Sequence, residues 1–88
     1  DKVCEVDVVF QDVAQKNQEE IFIKNCKAFL KDGGYGLLSI KARSIDIKRK
    51  PKDIFEEIRK NLDRVFKVID YKLLDPFEAD HAMIIIKN

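Results

Sequence analysis

The stretch Phe66–Ile86, FKVIDYKLLDPFEADHAMIII, decides the fold because it holds two predicted strands joined by a short connection. Phe66–Leu73 intersperses apolar residues with charged ones, a pattern that favours a strand near the edge of a sheet. Ala82–Ile86 is apolar at every position, which predicts a strand inside the sheet. About eight residues separate the two, too few for a crossover helix, so these strands must be antiparallel neighbours.

Upstream, predicted strands alternate with amphipathic helices. Val3–Phe10 is rich in valine and predicts a strand buried on both faces, and Tyr35–Ile40 predicts a second apolar strand. Between them, the sequence NQEE at 17–20 has the spacing of a capping box and predicts the start of a helix. Gly33 and Gly34 supply the left-handed residue that ends this helix.

A second helix is predicted between the second and third strands. Pro51 sits where a first helical turn tolerates it, and Asp53 suits the dipole of that turn. Apolar residues at helical spacing form its buried stripe: Ile54, Phe55, Ile58, Leu62 and Val65. The order is therefore β-α-β-α-β-β, an α/β fold with right-handed crossovers between parallel strands and an antiparallel last strand.

The first strand has no predecessor in this chain to pair with on its other side. Two interpretations remain open: it is the edge of a small α/β domain, or the chain is half of a larger sheet. The chain also begins with Asp1 rather than methionine, which is expected of a piece cut from something longer.

The composition fits one small soluble domain. With 88 residues, 45% of them hydrophobic and 38% charged, the chain can build one modest core and is neither disordered nor fibrous. Two cysteines and one histidine argue against a zinc cage or a disulfide scaffold and favour a reducing compartment. Because the longest apolar run is too short to cross a bilayer and no signal peptide opens the chain, no membrane partner is expected.

Three ionisable residues are predicted to meet at one edge of the sheet. Asp12 follows the first strand, Lys41 ends the second, and His81 enters the antiparallel last strand. The carboxyl ends of parallel strands and the start of an antiparallel strand share a rim, where open α/β sheets bind ligands. Each residue alone has a simpler interpretation, as a turn aspartate, a solvated lysine or a structural histidine.

The segment Lys41–Lys52 concentrates positive charge. It carries six cations against one acid, a local charge of +5 in a chain whose total is +1, so all other residues sum to −4. Such a run is often only a solvated loop, but this one adjoins the predicted rim. A phosphate backbone is therefore the expected partner.

Three blocks of the sequence closely resemble the fibrillarin family in its archaeal form: DVAQ at 12–15, IKARSID at 40–46, and DPF at 75–77 with DHAM at 80–83. The likeness runs through essentially all 88 residues and covers only the C-terminal part of that family. Lys16 departs from the usual proline, and the basic run at 48–50 is stronger than is common. The resemblance implies the C-terminal half of a Rossmann-like methyltransferase sheet, with the N-terminal part of the domain and its glycine-rich cofactor loop absent from residues 1–88.

The resemblance also implies transfer of a methyl group from S-adenosylmethionine to ribose 2′-hydroxyls in ribosomal and transfer RNA. The implied partners are a box C/D guide RNA, the target RNA, a Nop-family scaffold protein and a kink-turn-binding protein. The implied location is the cytoplasm of an archaeon or the nucleolus of a eukaryote. The implied catalytic residues are Asp12, Lys41 and His81, and the implied cofactor contacts are Asp12, Val13, Ala14 and Gln15. The predicted RNA contacts, Arg43, Lys48, Arg49 and Lys50, follow instead from the basic segment, and no metal ligand is expected.

A ribose hydroxyl is a poor nucleophile near neutral pH, so it needs orientation and help in losing its proton. Lys41 is the candidate for either task. As a base it needs a pKa lowered by burial or by a nearby cation, whereas Asp12 beside it would raise that pKa and favour simple positioning. Asp12 would also favour a cationic cofactor, and His81 would support the network.

Two other classes of function compete with this one. In the first, the chain is a non-catalytic RNA-binding or scaffold half that needs a partner chain to complete the site. In the second, it belongs to a nicotinamide-dependent enzyme, which fails because Gly33, Gly34 and Gly36 follow a helix instead of preceding one.

The resemblance implies a catalytic set of four residues, Lys-Asp-Lys-His, of which Asp12, Lys41 and His81 are the last three. The first lysine of this set belongs to the part of the family sequence that residues 1–88 do not cover. The 88 residues alone are therefore expected to be inactive.

Overall fold

The chain forms a four-stranded mixed sheet with its two long helices packed on one face. The computed structural model describes residues 5–12, 17–74 and 80–88. In chain order the elements are β1 (Val6–Gln11), α1 (Gln18–Phe29), β2 (Leu30–Lys41), α2 (Ala42–Ile45), α3 (Pro51–Asp63), β3 (Lys67–Leu73) and β4 (His81–Lys87). The predicted alternation is confirmed, and the short helix α2 is an addition to it.

The strands lie side by side in the order β1-β2-β4-β3. β1 pairs with β2 in parallel, and β4 is antiparallel to both β2 and β3. The last strand therefore lies inside the sheet and β3 lies at its edge, as their apolar and charged patterns predicted. The α/β order with an antiparallel final strand is confirmed.

The core lies between the sheet and helices α1 and α3. Side chains from β2 and β4 on this face are fully buried: Leu38, Ile40, Ala82, Ile84 and Ile86. Helix α1 adds Phe22 and Cys26, which are equally buried. A Cβ atom on Gly36 would lie 2.8 Å from Cζ of Phe22 and 3.1 Å from Sγ of Cys26. The glycine therefore lets α1 pack directly against the backbone of β2.

The opposite face of the sheet carries exposed apolar side chains. Val8 is 52% exposed, Phe10 56% and Tyr35 42%. The prediction that the first strand is buried on both faces is therefore wrong for this chain. Its side chains alternate as expected, with Val9 packed against the core, but Val8 and Phe10 point away from the face that α1 and α3 cover.

Helix α1 begins directly after Asn17, as predicted, but without the predicted cap, and it ends earlier than predicted. Asn17 precedes the helix, but its backbone angles are φ −101° and ψ 30° and its side chain makes no capping hydrogen bond, so the capping box is wrong. The helix ends at Phe29 rather than at the glycines, because Leu30 already pairs with Val6 in the sheet. Gly33, at φ +83°, instead serves an irregularity within β2 where the pairing with β1 shifts register.

Two further boundaries differ from the prediction. β2 extends from Leu30 to Lys41, twice the predicted length, because its first residues join the sheet before the irregularity. Helix α3 ends at Asp63, so Val65 falls outside the apolar stripe and is 39% exposed. The amides of Val65 and Phe66 both donate to the carbonyl of Leu62, which turns the chain toward β3.

Within residues 5–12, 17–74 and 80–88, no helix combines the length and apolar character that a membrane span requires.

Candidate functional site

Lys41 and His81 lie opposite each other where β2 ends and β4 begins. They are Cα partners in the antiparallel ladder, so both side chains stand on the same face of the sheet. That face is the one that α1 and α3 leave open. Lys41 is exposed and His81 is half-buried. The structure thus brings together two of the three predicted catalytic residues.

Asp12 reaches the same rim from β1. Gln11, the last residue of β1, pairs with Leu38 of the parallel strand β2, so Asp12 follows in line with Ser39. Asp12 is exposed at this position. The structure therefore places the predicted acid one strand away from Lys41. The remaining predicted cofactor contacts, Val13, Ala14 and Gln15, lie outside the described residues.

A buried hydrogen bond connects the end of β1 to the start of α1. Nε2 of Gln11 donates to the main-chain carbonyl of Gln18 at 2.8 Å. Both glutamines are buried, at 6% and 1% exposure. This hydrogen bond ties the last residue of β1 to the first residue of α1, and so fixes where Asp12 leaves the sheet. Nothing in the local sequence pattern identified these glutamines.

Ser39 is a further polar residue at the rim. Its hydroxyl lies 2.7 Å from Nε2 of His81, and only 4% of the residue is exposed. Sequence reasoning missed this serine because it sits within the apolar run of β2. The alternation of a strand places it on the same side as Lys41, but its partner becomes evident only once β4 is paired with β2.

Asp80, directly before β4, is a buried carboxylate at the rim. Its Oδ2 lies 3.2 Å from Nε of Arg43, near enough for a charge pair although the geometry is not that of a hydrogen bond. Its carbonyl accepts a hydrogen bond from the amide of Ala42 at 2.8 Å. A buried carboxylate needs a cationic partner, and Arg43 is the one beside Asp80. Arg43, predicted to bind RNA, therefore also anchors the entry to β4. The DPF block before it lies outside the described residues.

The helix α2 and the loop after it line an open groove of about 450 Å³ beside the rim. Its lining residues are Arg43, Ser44, Ile45, Asp46, Ile47 and Lys48. The amide of Lys48 donates to Oδ1 of Asp46 at 2.8 Å, which shapes the loop. Ile47 is 82% exposed among these polar neighbours.

The predicted basic surface is partly neutralised within the chain. Arg49 pairs with Glu57 of α3 at 2.6 Å, and this hydrogen-bonded carboxylate raises the pKa of Arg49. Lys48 and Lys50 are exposed on either side of it. The four predicted RNA contacts therefore differ: two are exposed lysines, and two are arginines already paired with carboxylates.

Cys26 is a residue of α1 that points into the core, away from the rim. It is fully buried, and burial raises the pKa of its thiol from 9.0 to about 11. The thiol is therefore protonated at neutral pH and is a packing group rather than a nucleophile. In the parts of the chain that the structure covers, no three histidine, cysteine or acidic residues cluster as metal ligands would.

A comparison with known protein families places this chain in one of them. The family model of fibrillarin matches residues 1–88, the whole chain. The chain belongs to the fibrillarin family. The resemblance found in the three sequence blocks is thereby confirmed.

Individual relatives agree with the family match. The fibrillarin-like rRNA/tRNA 2′-O-methyltransferase of Thermococcus sibiricus is 49% identical over 86 residues, which cover 98% of this chain and 38% of the relative. A solved complex of fibrillarin with Nop5p matches with a TM-score of 0.88 and 38% identity, over 96% of this chain and 40% of that one. Aeropyrum pernix fibrillarin, solved with natively bound S-adenosyl-L-methionine, matches with a TM-score of 0.73 and 44% identity, over 96% and 37%.

The predicted fold class is confirmed by these structures: the sheet is part of a Rossmann-like fibrillarin fold. The chain spans less than two fifths of the length of the curated fibrillarin relative it matches.

Proposed function

We propose that this chain carries the catalytic rim of an S-adenosylmethionine-dependent RNA ribose 2′-O-methyltransferase. The observation that supports this most is the pairing of Lys41 with His81 at the end of β2, with Asp12 on the neighbouring strand. The name of the Thermococcus relative and the cofactor bound to the Aeropyrum neighbour point to the same reaction.

We further propose that residues 1–88 are the C-terminal part of one methyltransferase domain, whose remaining part carries the glycine-rich cofactor loop. Two observations support this division. The chain corresponds to 38% of its Thermococcus relative, and one face of the sheet presents Val8, Phe10 and Tyr35 to solvent. A Rossmann-like sheet is covered on both faces, so the additional residues would pack against these side chains.

In this proposal each rim residue has a separate role in activating the ribose hydroxyl. Lys41, exposed at the end of β2, holds the 2′-hydroxyl in place and assists the loss of its proton. Asp12 presents a carboxylate, which suits the positive charge of a sulfonium cofactor and can hold the lysine ammonium. S-adenosylmethionine, when bound, supplies the activated methyl group. His81 supports Lys41 from the opposite strand.

The groove beside the rim is the proposed entry for RNA. Lys48 and Lys50 supply exposed positive charge, while Arg43 and Arg49 share theirs with Asp80 and Glu57. Such charges position a phosphate backbone without reading its sequence. Guide RNA would therefore select the ribose, and the protein would hold the strand.

The proposed assembly is a box C/D particle. Besides guide and target RNA it contains a Nop-family scaffold protein and a kink-turn-binding protein. The solved complex of fibrillarin with Nop5p supports the Nop-family partner. In an archaeon this particle would act in the cytoplasm.

Methyl transfer itself tests the proposed function. The complete protein is assembled with its guide RNA and partners and supplied with S-adenosylmethionine carrying a labelled methyl group. We expect one label per target strand at the guided ribose. A target with 2′-deoxyribose at that nucleotide is the matched control and should remain unlabelled. Equal labelling of the deoxy target, or none of the ribose target, would contradict the proposal.

A non-catalytic role remains the second candidate. The exposed apolar face is the observation that favours it, because a partner chain would be needed to cover that face. Calorimetry with S-adenosylmethionine separates the two cases. Little or no binding to the isolated 88 residues, together with binding to the complete protein, supports a split catalytic domain. Absence of binding to the complete protein supports the scaffold role.

A further inference from the structure

Ser39 is a polar residue at an almost inaccessible position. Its neighbours in β2, Leu38 and Ile40, point into the core and are fully buried. Ser39 points to the opposite face, opposite Met83 of β4, and is itself only 4% exposed. A buried hydroxyl is costly unless it is hydrogen-bonded, so this position requires a partner.

The partner of Ser39 is the imidazole of His81. The two residues are diagonal neighbours across β2 and β4, because Ser39 pairs with Met83 and His81 pairs with Lys41. Their 2.7 Å contact joins the hydroxyl to Nε2 of the ring. The strand that carries Lys41 thus also carries the group that holds His81.

We infer that Ser39 is a positioning residue for His81, which it holds by Nε2 so that Nδ1 is the ring nitrogen left for the catalytic groups. This inference rests on the proposed function. Each imidazole nitrogen has either one proton or one lone pair in the ring plane, so a nitrogen bonded to serine is unavailable to other partners. Because a hydroxyl both donates and accepts, the contact persists whether the ring is neutral or protonated.

Ser39 acts through His81 and not on the ribose directly, and a double-mutant cycle in the complete, assembled particle measures this. Ser39→Ala should lower kcat at least about tenfold, as loss of a histidine-orienting partner does elsewhere, with little change in the KM for S-adenosylmethionine. Ser39→Thr keeps the hydroxyl and should restore most of the rate. Adding Ser39→Ala to His81→Gln should lower kcat by less than about twofold further. Fully additive losses, or an unchanged rate for Ser39→Ala, would overturn the inference.

Nuclear magnetic resonance of the complete protein with ¹⁵N-labelled histidine provides a readout that does not depend on activity. The signals of His81 are assigned by their absence in His81→Gln. We expect the Nε2 signal of His81 to be alike in the wild type and in Ser39→Thr, and to shift in Ser39→Ala, where Nε2 loses its hydroxyl partner. An unchanged His81 spectrum in Ser39→Ala would overturn the inference alone. A wild-type particle that transfers no methyl group would instead remove the proposed function, while the spectra still decide the contact between Ser39 and His81.

Discussion

At the scale of single residues, the chemistry of this chain depends on side chains that the fold brings together from separate strands. Lys41 and His81 could be predicted to meet, because the end of a parallel strand and the start of an antiparallel one share a rim. Ser39 and Asp80 could not, because their partners depend on the register between β2 and β4 and on the position of α2. Which residues face each other across β2 and β4 depends on how the two strands are paired in the folded sheet. The sequence pattern of one strand alone does not determine it.

The buried thiol of Cys26 should make the stability of the protein depend on pH at alkaline values. Its thiol is protonated in the folded state up to a pKa of about 11, compared with 9.0 when it is not buried. Its contribution to stability is therefore complete below pH 9 and is lost as the pH rises from 9 towards 11, because the unfolded chain ionises first. Urea unfolding of the complete protein across this range should show the loss.

The matched control for this prediction is Cys26→Ala, with Cys4→Ser present in both proteins. The alanine variant should be less stable at neutral pH because it leaves a cavity. Its free energy of unfolding should fall less steeply above pH 9, by up to about 1.4 kcal/mol per pH unit. Identical slopes in the two proteins would show that the thiol does not titrate differently on unfolding.

At the scale of elements, the apolar pattern of a strand predicted its place in the sheet better than local signals predicted its ends. The fully apolar Ala82–Ile86 lies inside the sheet, as β4, and the charged β3 lies at the edge. In contrast, Gly33 and Gly34 suggested a helix end four residues too late. The chain enters the sheet at Leu30, and tertiary pairing outweighs the turn signal.

The loop between α2 and α3 carries two exposed lysines, Lys48 and Lys50, that are proposed to contact RNA phosphates. Replacing Lys48 and Lys50 together with alanine should weaken RNA binding by the complete protein. It should also reduce the slope of log K against log salt by about one for each lysine that contacts a phosphate. Fluorescence anisotropy over a range of salt concentrations measures both quantities. The matched control is the double replacement of Lys24 and Lys27, which are exposed on α1. Equal slopes for the two double variants would place the RNA elsewhere.

At the scale of the whole molecule, the sheet has helices packed on one face and exposed apolar side chains on the other. The sequence predicted a first strand apolar on both sides, and the structure leaves Val8 and Phe10 more than half exposed. In the described sheet β1 is an edge strand, so the apolar pattern on its open side finds no partner there. Under the proposed division of the domain, burial of this face would come from residues beyond the 88, so these residues alone could not predict it.

Phe10 tests whether the open face is covered in the complete protein. Phe10→Ala should destabilise that protein by about 3 kcal/mol or more, the usual cost of removing a buried phenylalanine. Leu73→Ala is the matched control, because Leu73 is similarly exposed, at 50%, but lies in β3 at the other edge of the sheet. It should cost less than about 1 kcal/mol. Equally small losses in urea unfolding would mean that the face stays open.

The central claim is that the rim formed by β2 and β4 carries the methyl transfer, and Lys41 tests it most directly. The decisive measurement is the single-turnover rate of methyl transfer by the complete, assembled protein with Lys41→Ala, compared with Lys24→Ala as the matched control on α1. We expect the Lys41 variant to lose methyl transfer while its unfolding curve is unchanged, and the control to keep the wild-type rate. A Lys41→Ala protein that methylates the target ribose at the wild-type rate would contradict the account.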